Sequence, residues 1–249
     1  MPTAPAIRGW ISGTDYANGF VSLSATTGWN TAAPAAGDVL IAFTTAQTVS
    51  GPSTSASSLF TEVVQLDLPS WGANIQAWKR AFNATDTTYR FDNSQGISNG
   101  TTVLLVALSG ADTSTIAESG SNGTGYDFGS TANPMIAPSV SGLSTAADYL
   151  LTGFATESNT TARTFTTPSG TTSIGSQQNT VPAGKQSLAV FGLALASSSP
   201  TATQSSTVSS AYNAGGVISV AVQPVPDAAS KVNAPNISPS TAVHRSTRW

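Results

Sequence analysis

Apolar residues in this chain come in short runs, and no stretch of about twelve residues or more repeats them at helical spacing. Clusters of Gly, Pro, Asn and Ser separate the runs, which is how strands and tight turns alternate along an all-β chain. Strands are expected at residues 7–12, 20–25, 39–45, 60–66, 75–82, 89–91, 102–109, 149–155, 188–195 and 217–223, with weaker candidates at 163–166 and 203–209. The Ala-rich stretch 31–36 contains Pro34 and leads into Gly37, so it reads as loop. At 249 residues the chain is long enough for one large β domain. The expected architecture is all-β, a two-sheet, jelly-roll-like β-sandwich of about ten to twelve strands over residues 1–224. Alternation places Val39, Ile41, Phe43, Trp78, Leu104, Val106, Leu150, Phe191 and Val220 on one, buried face of their strands.

The two halves of the chain resemble each other. Gly37-Asp38 leads into VLIAFTT, and Ala147-Asp148 leads into YLLTGFA in the second half. IQAW (75–78) and LAVF (188–191) follow, and each half closes on an apolar strand, TVLLVAL (102–108) and GVISVAV (216–222). Two such sets, joined by the Gly/Ser-rich stretch 119–130, would build two sheets packed face to face, an approximate internal repeat.

Composition then narrows the chemistry. There is no Cys, which excludes disulfides, thiolate metal sites and cysteine nucleophiles. The one His, His244, stands near the C-terminus, so the body has no imidazole for a His metal centre or a Ser-His-Asp triad. Glu62, Glu118 and Glu157 are the only glutamates, and they lie in three separate parts of the chain. No catalytic, metal-ligating or cofactor-binding residue is assigned on this basis, and a non-enzymatic protein without cofactor is expected. A formal charge of −3 with nine Lys and Arg leaves no extended positive surface for nucleic acid. Charged residues make up only 8% of the chain while 36 Ser and 35 Thr are present, so hydroxyls and backbone amides must carry solubility. Apolar runs such as 103–108 fall far short of the roughly 20 residues that span a bilayer. The start, MPTAPAIRGWISG, lacks the basic and apolar regions of a secretory signal, so neither membrane insertion nor signal-directed export is expected.

After Gln223 the strand pattern stops. Pro224, Pro226, Pro235 and Pro239 deny the segment regular pairing, and residues 225–249 read as an extended C-terminal arm. The arm holds Lys231, Arg245 and Arg248, leaving the body with 6 basic against 11 acidic residues. Trp and Arg are frequent anchors where proteins meet, so Arg245, Arg248 and Trp249 are the candidate partner contacts. The plain alternative is a free tail.

The succession GDVLIAFTT, a Trp-containing turn, IQAWKRAFNATDTTYRFD and TTVLLVALSGADTSTI resembles a recurrent β-sandwich of bacteriophage minor tail and other virion structural proteins, found also in bacterial surface proteins. The matching residues are Gly37-Asp38, Trp78 with Asp86 and Tyr89-Arg90-Phe91, and Leu108-Ser109-Gly110-Ala111-Asp112. In the second half the pattern runs from Ala137 to Val140, through Asp148-Tyr149-Leu150-Leu151, to the strand at Gly216. The resemblance covers roughly residues 30–224 and does not account for the arm. It implies a virion component made in the host cytoplasm, whose partners are other virion proteins, as homo-oligomeric or lattice neighbours. A receptor- or carbohydrate-binding module on a virion or cell surface is the alternative, with a cell-surface glycan as partner. A capsid decoration protein is a second alternative.

Individual motifs also have direct physical readings. Asp38, Asp86, Asp112 and Asp148 stand at turns, where a carboxylate accepts bonds from nearby amides, and Gly110 is free to take positive φ. Calcium would need 6 to 8 oxygen ligands, and no D-x-D-x-D spacing supplies them. Trp10, Trp29, Trp71 and Trp78 would stack on sugar rings if exposed. Trp78 is expected in the core or on its flank, whereas Trp71, between Ser70 and Gly72, is the candidate exposed loop aromatic. Lys79-Arg80 reads as a solvated strand face.

Overall fold

The computed structural model describes residues 2–15, 19–46, 52–53, 60–68, 73–93, 100–117, 122–126, 133–158, 161–180 and 185–226. These residues form fifteen strands and no helix. The first half runs β1 (Ala6–Asp15), β2 (Phe20–Ser24), β3 (Val39–Ala46), β4 (Pro52–Ser53), β5 (Thr61–Leu68), β6 (Ala73–Ala81), β7 (Thr88–Asn93) and β8 (Thr101–Ser109). The second half runs β9 (Asn122–Tyr126), β10 (Met135–Ala137), β11 (Tyr149–Ser158), β12 (Thr172–Asn179), β13 (Lys185–Ala194), β14 (Gln204–Ser206) and β15 (Ala214–Val222). The all-β expectation holds, and all ten firmly expected strands are present.

The described strands assemble into four antiparallel sheets rather than two. A five-stranded sheet, β1-β8-β3-β6-β5, packs face to face on a second, β9-β15-β11-β13-β12. The orders correspond place for place: β1 to β9, β8 to β15, β3 to β11, β6 to β13 and β5 to β12. The two smaller sheets correspond as well, since β2 pairs β7 as β10 pairs β14, and β4 extends the first. Equivalent turns open β3 and β11. The carbonyl of Asp38 accepts from the Phe82 amide, and the carbonyl of Asp148 accepts from the Leu195 amide, both at 2.9 Å.

The extra sheets change the core. All nine residues expected inside are buried, but they do not share one face. Val39, Ile41, Phe43, Leu104, Val106 and Val220 fill the space between the five-stranded sheets. Trp78 points to the opposite side, with Leu40, Tyr89 and Phe91 beneath the three-stranded sheet. Phe191 packs with Met135, Phe154 and Val217 on the far side of the second large sheet, and Leu150 joins Val140 and Ala221. The central strands are therefore covered on both faces, which explains why β3, β8 and β15 read as continuous apolar runs rather than alternating ones.

The four strands not expected, β4, β9, β10 and β12, are short or apolar-poor. The sequence of β9, NGTGY, lies within the stretch read as a connector, yet it pairs along β15 from Asn122 to Tyr126. The strand β12, TSIGSQQN, carries a single large apolar side chain because it is an edge whose outer side faces water. Of the weaker candidates, 203–209 contains β14, and 163–166 supplies only the bridge between Phe165 and Val208.

Candidate functional site

Between the two large sheets, hydrocarbon gives way to polar side chains at the end where β3 and β11 finish and β8 and β13 begin. Thr45, Thr102, Glu157 and Gln186 are buried there, while Thr101, Thr156, Ser158 and Ser187 are buried on the opposite faces of the same strands. Part of this belt is bonded across the sheets. The Thr102 hydroxyl donates to Gln186 Oε1 at 3.1 Å, and Gln186 Nε2 donates to the Gly100 carbonyl at 2.6 Å. Arg163 closes one side, its amide donating to Ser187 Oγ at 2.6 Å and its Nη2 to Ser158 Oγ at 2.9 Å.

The other part is unsatisfied. Both carboxyl oxygens of Glu157, both amide atoms of Asn74 and the Thr156 hydroxyl are buried without a hydrogen-bond partner among the described residues. Glu157, Asn74 and Thr156 are among the residues that wall a cavity whose water-accessible volume is about 10 Å³, with Thr45, Ile75 and Gly216, and of the three only Glu157 turns its side chain to the face between the sheets. That space suits about one water molecule beside the Glu157 side chain. Burial alone pushes the Glu157 carboxyl from 4.5 up to about 7, because a charge there has lost its hydration. The arrangement can hold a proton and a water, and it is too small for an organic substrate.

This acid makes stability depend on pH. The folded-state pKa lies above the unfolded one, so folding carries no charge-burial penalty below pH 4.5 and acquires it as pH rises to about 7. A shift of this size corresponds to on the order of 3 kcal/mol. Urea unfolding at several values between pH 4 and 8 should therefore show the parent losing stability relative to Glu157→Gln across that window. Parallel pH profiles for the two proteins would place Glu157 in water instead.

The turn aspartates lie where the sequence suggests. Asp38, almost wholly buried, accepts from the Ala35 amide at 2.7 Å and pairs with the Arg8 guanidinium. Asp112 accepts from the Ser114 amide at 2.8 Å and hydroxyl at 2.7 Å, which holds its carboxyl below the usual range. Asp148 accepts from the Thr145 hydroxyl at 3.1 Å. Gly110 takes φ 73° and Gly37 φ 88°. Among the described residues no three acidic or imidazole side chains converge on a common point.

Two readings need correction or extension. Arg80 does not lie on a solvated face: neighbouring residues on a strand point to opposite sides, and Arg80 is the inward one of the pair. Its guanidinium reaches Asp86 at 2.7 Å and lies 5.6 Å and 5.7 Å from the ring centres of Phe60 and Tyr89. The segment Gly96-Ile97-Ser98-Asn99-Gly100 has G-x-S-x-G spacing, but strand β8 follows it at Thr101 rather than the helix a nucleophile elbow requires. Trp78 is buried, with Nε1 donating to Thr44 Oγ1 at 3.1 Å, and Trp29 donates to the Ser24 carbonyl at 3.1 Å. Trp71 lies outside the described residues, as do Arg245, Arg248 and Trp249. Glu157 and its cavity were not singled out from sequence; the signal was one glutamate near the end of an otherwise uncharged strand.

Fold and site together define a β-sandwich protein of four packed antiparallel sheets with a buried acid at one end of its central interface. The chain matches no protein-family model, no curated protein and no solved structure.

Proposed function

We propose that this chain is a non-enzymatic structural component of a bacteriophage virion, a minor tail or similar protein that assembles through protein–protein contacts. The observation that supports this reading best is the pair of five-stranded sheets covered on both faces, a thick rigid block suited to bearing load or spacing neighbours. The whole is read as a jelly-roll-like sandwich with an approximate internal repeat. The residues that carry the family resemblance, among them Gly37-Asp38 and Gly110 to Asp112, serve turns and strand ends, as expected of a scaffold pattern. A capsid decoration role would use the same block. In this reading residues 225–249 fasten the block to its neighbours, with Arg245, Arg248 and Trp249 as anchors.

The test is truncation. Pro224 bridges to Ala111, and the Val225 amide donates to the Gly110 carbonyl at 2.9 Å, so removal should begin at residue 227 to spare these contacts. Deleting 227–249 should leave the melting temperature of the isolated protein within about 2 °C of the parent and markedly reduce incorporation into assembled particles. Full incorporation of the truncated chain would overturn the arm's role. A particle reconstruction without this chain would overturn the virion reading.

A further inference from the structure

We propose that the groove between β1 and β12, floored by Trp10 and Tyr149, binds one uncharged sugar ring. This site goes beyond the assembly reading and does not depend on it. The two large sheets leave a gap of about 260 Å³ at this open edge, with Trp10, Tyr149, Ile7 and Ile174 as its apolar surface. Asn30, Thr31, Thr172 and Ser173 supply amide and hydroxyl groups around it, and no charged side chain lines it. The volume lies just below the range that holds drug-sized ligands, so it suits a single ring better than a long chain.

Both aromatic rings are held from behind by glycines. A Cβ on Gly175 would fall 2.8–2.9 Å from three ring carbons of Trp10, and one on Gly192 would fall 2.5 Å from the Tyr149 hydroxyl and 2.7 Å from its ring. The backbone thus seats each ring at close range and leaves little room for it to shift. An independent observation concerns their polar atoms. Trp29 and Trp78 both donate their indole N–H to protein oxygens, whereas Trp10 Nε1 has no partner among the described residues. The Tyr149 hydroxyl has none either, and neither atom is sealed from solvent. Burial pushes the Tyr149 hydroxyl upward in pKa, so it remains a neutral donor.

Two half-buried aromatic surfaces with unspent donors, ringed by hydroxyls and an amide, match the chemistry of a pyranose. Its C–H face packs on an aromatic ring while its hydroxyls exchange hydrogen bonds with the rim. The absence of lining charge favours a neutral sugar over a uronic or sialic acid.

Saturation-transfer NMR on the full chain tests this, with glucose, galactose, N-acetylglucosamine and rhamnose as probes and glucuronate as the charged control. At least one neutral sugar should bind with millimolar affinity and glucuronate should not. Tyr149→Phe should weaken binding by about three- to tenfold without moving the melting temperature, through loss of one hydrogen bond. Trp10→Leu should weaken it by about tenfold or more. Absence of saturable neutral-sugar binding, preference for glucuronate, or affinity unchanged in Tyr149→Phe would each overturn the proposal. Binding that emerges only after residues 227–249 are removed would also overturn it, by making this chain's own arm the occupant.

Discussion

Phe43→Ala should cost about 3–5 kcal/mol, with a fall in melting temperature of roughly 6–20 °C for a chain of this size. Phe43 is fully buried at the centre of β3, paired with Leu104 on one side and Ala77 on the other. Its ring crosses the space between the two large sheets and lies over Gly153 of β11, where a Cβ would collide with it. Truncation therefore opens a cavity between the two halves of the chain, and neither sheet can close it without moving the other. Gly153→Ala should destabilise by about 1–3 kcal/mol for the opposite reason, overpacking. Combining Gly153→Ala with Phe43→Leu should cost less than the sum of the two, because each change relieves the other. Thermal unfolding of the four proteins reads the cycle directly. A Phe43→Ala protein that melts with its parent would mean that the ring faces the other side of β3.

Asp86→Ala should destabilise by about 3–5 kcal/mol, although Asp86 itself stands in a surface turn. The loss belongs to Arg80. Its side chain is only 2% exposed, and Asp86 is the carboxylate that compensates its charge beneath the three-stranded sheet. The aromatic rings of Phe60 and Tyr89 help to accommodate a cation but do not neutralise it. Removing Asp86 leaves a charge stranded among rings, whereas removing both partners leaves no buried charge. The double variant Arg80→Met/Asp86→Ala should therefore recover most of the loss, measured by denaturant unfolding. Equal stability of Asp86→Ala and the parent would show that water already solvates the guanidinium.

Strand positions were legible in the sequence because side-chain alternation and turn chemistry are local. Gly37-Asp38 announces a turn before β3 whatever lies above it, and Ala147-Asp148 does the same before β11. The order in which strands pair within the two large sheets was not legible there. A register is set by partners far away in sequence, such as Phe43 with Leu104 or Leu151 with Val220. The edge strand β12 escaped notice because an edge buries only one side and needs few apolar residues. Arg80 was misplaced for a related reason: charge suggests water, and only a nearby acid and two rings make a buried guanidinium tolerable.

By itself, the sequence determined an all-β protein with ten of its strands, the turns that open its main strands, and a body without Cys or His. These follow from period-two patterning, from glycine and aspartate at turns, and from composition, each read within a few residues. Tertiary structure alone decided that the central strands are buried on both faces. It also decided that Glu157 and Asn74 wall one small cavity and that Trp10 and Tyr149 line one groove at an open edge. Those outcomes depend on which sheet lies against which, and stacking joins residues more than eighty positions apart through forces that carry no local signature.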